Sequence, residues 1–173
     1  IHDTFGLRAT GNTNFSGVKL SYEAEYAIQD KPTLKEESMG DVRLNHEADY
    51  YKVGFRANYT GFLFGVDYEI LGKQEGSCPT PVPNKNDYCG AFNTPLATLH
   101  GMNGWADKFL ATPDDGLVDT TVTVGYISKK FGRVFALYRD FESDRGNTDF
   151  GQEFDVIYVN KLYKNLGLTL KAA

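Results

Sequence analysis

The chain has 173 residues, 41% of them apolar, with 12 Phe, 11 Tyr, 18 Gly, 1 Trp and a formal net charge of −5. That is enough for one domain, and the acidic balance leaves no basic surface to recruit nucleic acid or anionic lipid. No apolar run approaches the ~20 residues of a membrane-spanning helix, but a mean hydropathy of −0.40 does not exclude β-strand spans, in which every second residue is polar.

The pattern along the chain is a period of two, the signature of strands with one apolar and one polar face. Residues 2–11 set Phe5, Leu7 and Ala9 against Thr4, Gly6 and Arg8. The strand-like run begins at Ile1-His2-Asp3, so either a leader has been cleaved or the sequence starts partway through a longer protein. After a short connection at 11–15, residues 16–29 set Val18, Leu20, Tyr22, Ala24, Tyr26 and Ile28 against Lys19, Ser21, Glu23 and Glu25. A longer connection at 30–46 leads to the clearest stretch, 51–71, inside strands predicted over 47–59 and 62–75. With Thr60-Gly61 as a two-residue hairpin loop, Tyr59 lies opposite Phe62, Phe55 opposite Val66 and Val53 opposite Tyr68. On the other face Lys52 lies opposite Glu69, and Arg56 lies diagonal to Asp67.

Residues 76–116 depart from this pattern and form one long loop, extracellular or folded inward. Its proline-rich start holds the chain's two cysteines, Cys78 and Cys89, which read as a loop disulfide in an oxidising compartment. Leu96, Leu99, Trp105, Phe109 and Leu110 would build a short helix or a packed plug. Alternation resumes over 117–128, with Val118, Thr120, Val122, Val124 and Tyr126 opposite Asp119, Thr121, Thr123 and Gly125. In the strand over 133–144 both phases carry apolar residues: Val134, Ala136 and Tyr138, or Phe135, Leu137 and Phe141. After a loop at 145–150, the strand over 151–163 turns Phe154, Val156, Tyr158 and Leu162 outward. Glu153, Asp155 and Lys161 then point inward, at the expense of pointing Ile157 and Val159 inward too; a bulge or an inward-folded loop would explain this strand or the one before it. The strand over 166–173 sets Leu166, Leu168 and Leu170 against Gly167, Thr169 and Lys171.

These elements predict an all-β fold: an antiparallel up-and-down transmembrane β-barrel, with about eight strands in this segment and a single domain over residues 1–173. Short turns alternate with long loops, as in outer-membrane barrels, whose short turns face the periplasm. Aromatic residues gather at both rims: Phe15, Tyr59, Phe62 and Tyr126 at one, Tyr26, Tyr51 and Tyr68 at the other.

The polar phase gives the candidate pore-lining residues: Arg8, Lys19, Lys52, Arg56, Lys161 and Lys171, with Glu23, Glu25, Asp67, Glu69, Asp119, Glu153 and Asp155. Six bases against seven acids give no anion-selective bias, and Lys52 opposite Glu69 reads as readily as a pair that keeps strands in register as it does as a selectivity element. His100, Trp105, Asp107 and Lys108 are the candidate constriction, against the plainer reading of a loop packed on its own aromatic residues. His2, His46 and His100 lie in no ligand-spaced motif, so no metal or other cofactor is expected. The acid pairs Glu23/Glu25, Asp67/Glu69 and Glu153/Asp155 lie at i, i+2 on strand faces without a nucleophile motif, which argues against an enzyme.

The stretch FNTPLATLHGMNGWADKFLATPDDGLVD, then YRDFESDRGNTDFGQEFDV and NKLYKNLGLTLKAA, resembles the C-terminal part of the alginate-export family of proteobacterial outer-membrane porins. The resemblance covers the chain from about residue 3 onward and implies a barrel with more strands than these, with a polar lumen. The terminal Leu170-Lys171-Ala172-Ala173 lacks the closing aromatic residue usual in such families, consistent with a segment cut from a longer barrel. The function implied is passive diffusion of small hydrophilic solutes across the Gram-negative outer membrane. The partners implied are outer-membrane lipid and, in a larger complex, other proteins. The alternatives are a plugged or structural barrel serving as a scaffold, and a soluble lipocalin-like carrier, in which the apolar phase would line the cavity.

Overall fold

The computed structural model describes residues 3–30, 47–73, 91–94 and 103–173. The expected disulfide partners Cys78 and Cys89, together with Leu96, Leu99, His2, His46 and His100, lie outside them. Among the described residues, eight strands form one antiparallel sheet: β1 (Asp3–Phe15), β2 (Val18–Asp30), β3 (Glu47–Tyr59), β4 (Phe62–Leu71), β5 (Leu117–Ser128), β6 (Gly132–Glu142), β7 (Asp149–Tyr163) and β8 (Leu166–Ala172). Each strand pairs with its neighbours in sequence, from β1 to β8. The sheet is not closed: β1 and β8 are its edges.

The period of two sorts the side chains onto two faces with opposite surroundings. On one, Tyr22, Phe55, Val66, Val122, Tyr138 and Phe154 form a cross-strand row from β2 to β7. Of these, Tyr22, Phe55, Val66, Tyr138 and Phe154 are exposed. On the other face, Glu69, Asp119, Thr121, Glu153 and Asp155 are buried. We call the apolar face outer and the polar, covered face inner. The hairpin pairs Tyr59–Phe62, Phe55–Val66, Val53–Tyr68 and Lys52–Glu69 stand in the expected register.

Two hairpins turn on Ser16-Gly17 and Thr60-Gly61, with both residues of each pair at positive φ (47° and 82°, 48° and 95°). That geometry matches the twist of the flanking strands. The first turn therefore falls later than the connection expected at 11–15, and β1 runs on to Phe15. Gly11 belongs to the strand: Tyr22 lies so close across it that a Cβ there would meet the ring at 2.3 Å.

The β6–β7 ladder shifts register between Phe141 and Glu142. Phe150 is the extra residue on β7, and its ring reaches Phe109 at 5.8 Å. A second shift lies between Lys161 and Tyr163. Leu162 is the extra residue there, exposed but outside the ladder. Tyr163 pairs with Leu166 instead.

The hydrophobic core of the described residues lies at the long-loop end of the inner face. Ala27, Ala48, Tyr50, Leu71, Leu117 and Phe141, from the strands, pack with Phe92, and Phe109 and Phe150 pack against the group. The chain that carries Phe92 and Phe109 therefore lies over the inner face.

Candidate functional site

The inner face of β1–β7 carries a continuous ion network. Arg8 reaches Glu23 at 2.9 Å and Glu25 at 3.5 Å. Glu23 also faces Lys52 and Arg56, each at 3.9 Å. Arg56 donates to Asp67 at 2.7 Å, the diagonal pair expected from the sequence. Lys52 lies 3.9 Å from Glu69. Glu69 in turn accepts from the Tyr50 hydroxyl at 2.6 Å and from Asn103 Nδ2 at 3.3 Å. Asp119 accepts from Thr121, Asn103 and Arg139, the last at 2.6 Å. Arg139 Nε closes the chain at 3.5 Å from the buried Asp155. Alternation fixes this arrangement: all these strand residues share one phase, and the register sets Glu25 beside Lys52, Lys52 beside Glu69 and Arg139 beside Glu153, while the like-charged neighbours Glu69 and Asp119 are bridged by Asn103.

Lys19, Lys161 and Lys171 lie apart from this network. Lys19 and Lys161 line separate depressions toward the short-turn end. Lys171 sits over the Trp105 ring, 4.9 Å from its centroid.

The described part of the long loop folds onto the inner face, as a packed segment of turns and bends rather than a short helix. Glu153 holds it by accepting from the backbone N–H of Trp105 and, at 3.1 Å, from that of Ala106. Asn103 bridges Glu69 and Asp119 below it. Gln29 exchanges two hydrogen bonds, both 2.9 Å, with the backbone of Asn93. Tyr50 stacks on Phe92 at 5.2 Å, and Phe109 meets Phe141 at 4.8 Å. Of the residues expected at the constriction, Trp105 is half-buried against the inner face. Asp107 takes a positive φ of 55° in the turn beyond it, and Lys108 is exposed.

Beside Trp105 lies a cavity of about 390 Å³. Lys52, Arg56, Asp67, Glu69, Asp119 and Arg139 form its polar walls. Leu63, Phe135, Leu137, Ile157 and Trp105 form its apolar side. The inward Ile157 pairs directly with Phe135, so each gives the other an apolar neighbour. Among the described residues no group of three or more His, Cys, Asp and Glu is arranged to hold a metal ion.

Arg139, Tyr50, Asn103 and Thr121 are the participants that hydropathy alone does not find. Both phases of β6 carry apolar residues, so hydropathy leaves its inward face undecided. Charge decides it: only the phase with Phe135, Leu137 and Phe141 brings Arg139 beside Glu153 and Asp155. No family model, no curated protein and no solved structure matches this chain.

Proposed function

We propose that this chain is a segment of a transmembrane β-barrel of the Gram-negative outer membrane, a porin through which small hydrophilic solutes diffuse along a charged, hydrated lumen. The observation that carries this reading is the inversion of the two faces. Large apolar side chains such as Phe5, Leu7, Phe55, Phe62 and Phe154 are exposed, while the acids Glu69, Asp119 and Asp155 are buried on the other face beside Lys52 and Arg139. Water drives the opposite arrangement, and an apolar patch of this extent marks a surface that meets another apolar phase. Aromatic pairs stand near both strand ends on that face: Phe62–Tyr126 at 4.8 Å by the short turns, Tyr26–Tyr51 at 4.9 Å toward the long loops. Such girdles belong at the two lipid–water interfaces.

A soluble carrier would cover its apolar phase, and here the loop covers the polar one instead. The open edges β1 and β8 have no place in hydrocarbon, where every backbone donor needs a partner. Further strands of a wider ring are therefore part of the proposal, as is membership of the alginate-export family, which rests on the sequence of 92–119, 138–156 and 160–173.

A second reading has its own support. The segment at 103–112, pinned by Glu153 and Asn103, narrows the inner face, as a plug in a scaffold barrel would. Detergent phase partition and single-channel recording test both readings. The porin is expected in the detergent phase and, once inserted in a planar bilayer, to pass current. A chain that stays in the aqueous phase refutes the membrane reading, and inserted protein in a sealed bilayer leaves the plugged scaffold.

A further inference from the structure

The cavity beside Trp105 is unlike the wall of a conduit built for sugars alone. Its apolar side is assembled from three strands and the loop: Leu63 of β4, Phe135 and Leu137 of β6, Ile157 of β7, and Trp105. The Phe135 ring lies across Gly125, where a Cβ would meet its Cδ1 at 2.2 Å. The missing side chain at Gly125 lets an aromatic ring lie against the strand wall. At 390 Å³ the cavity falls at the small end of ligand pockets, ~300–1,000 Å³.

Its polar side is balanced in number but not in access. The side chains of Arg56 and Lys52 are 43% and 29% exposed, against 14% for Asp67, 12% for Glu69 and 2% for Asp119. The acids are also occupied: Asp67 by Arg56, Glu69 by Tyr50 and Asn103, Asp119 by Thr121, Asn103 and Arg139. Arg56 gives one terminal nitrogen to Asp67 at 2.7 Å and holds the other 3.9 Å from Glu23, and Lys52 meets its two carboxylates only at 3.9 Å, beyond hydrogen-bond distance, so the longer contacts leave donors available on both. A solute in the cavity therefore meets cationic heads first and an aromatic wall beside them.

We propose that this cavity is a binding step for small aromatic carboxylates, with the ring against Phe135, Leu137 and Ile157 and the carboxylate on Arg56 and then Lys52. The inference rests on the inner face lining a lumen, but the cavity itself belongs to the chain whether or not the lumen conducts. Trp105 is the only tryptophan of the chain and reports occupancy by its fluorescence.

The experiment uses the whole chain in detergent and in planar bilayers, with benzoate, gluconate and benzylamine as probes. Benzoate is expected to change Trp105 emission saturably, at least about ten-fold more tightly than either other probe, and to block current over the same concentration range. Arg56→Gln is expected to weaken benzoate about ten-fold, as loss of a charged hydrogen bond does, while Arg56→Lys keeps most of the binding. Gluconate binding as well as benzoate overturns the aromatic part, and benzylamine binding as well or better overturns the carboxylate part. Current without any benzoate response leaves the porin standing and removes this site. A benzoate response without current does the reverse.

Discussion

The two faces of this sheet are made from the same strands, one residue out of phase, and they obey opposite rules. On the outer face, Val53, Phe55, Phe64 and Val66 are exposed, and the cross-strand ladder gives them mainly one another. On the inner face, Asp119 and Asp155 are buried, and the two share one cation, Arg139. A buried carboxylate without a cation is costly, whereas an exposed apolar side chain is neutral or costly according to what surrounds it. The contrast teaches that order on the inner face is intrinsic, set by charges within the chain. Order on the outer face is conditional on the surrounding phase.

The largest effect is expected where the inner rule is broken. Arg139→Met leaves Asp119 and Asp155 facing each other's charge with no cation, and breaking a buried pair in this way costs ~3–5 kcal/mol. Denaturant unfolding of the chain in micelles should register that loss. Arg8→Met, whose side chain is 59% exposed at the edge strand, is expected to leave the midpoint unchanged. Equal shifts for the two variants would show that burial does not govern the network.

The next effect separates the faces themselves, at consecutive positions in the middle of β5. Val122 lies in the outer row between Val66 and Tyr138, and Thr123 faces the cavity. Val122→Arg is expected to cost ~2–4 kcal/mol in lipid vesicles, the range for a base on a lipid-facing strand, and Thr123→Arg markedly less. If Val122→Arg is as mild as Thr123→Arg in vesicles, the outer face does not meet hydrocarbon.

Much of this contrast was legible in the sequence, and unevenly so. The hairpin at 51–71 carries its register openly, because Thr60-Gly61 suits a turn with two positive φ values and each flank alternates, Leu63 and Leu71 apart. β6 did not reveal its phase by hydropathy, because Phe135, Leu137 and Phe141 are apolar residues on the inner face. They serve the cavity and the loop-packed core rather than the outer wall. The imperfect alternation of β7 admits a bulge but does not place it at Leu162, since an extra residue keeps composition and changes only phase. Tyr50 and Asn103 could not be found by charge pairing at all. Tyr50 joins the network by a hydroxyl hydrogen bond to Glu69 on the neighbouring strand, and Asn103 by one from a distant loop, and period-two patterning says nothing about such contacts.

The smallest effect concerns the loop, where the inner face holds chain that is not part of the sheet. Gly104 takes a φ of 91°, and a Cβ there would lie 2.6 Å from the Glu153 carboxylate. That carboxylate is the group accepting from the N–H of Trp105 and Ala106. Gly104→Ala therefore strains the backbone and pushes the clamp apart, at a local cost of ~1–3 kcal/mol. Glu153→Gln keeps an acceptor oxygen and should loosen the clamp less. Trp105 emission should move to longer wavelength in Gly104→Ala, and proteolysis within 103–116 should quicken while the strands stay protected. Global unfolding instead would mean that the segment is part of the cooperative core, joined through Phe109 and Phe141 rather than resting on the charged face. Under the porin reading, the loosened segment should also raise single-channel conductance. An unchanged conductance beside a released Trp105 would locate the narrowest point of the lumen away from this loop.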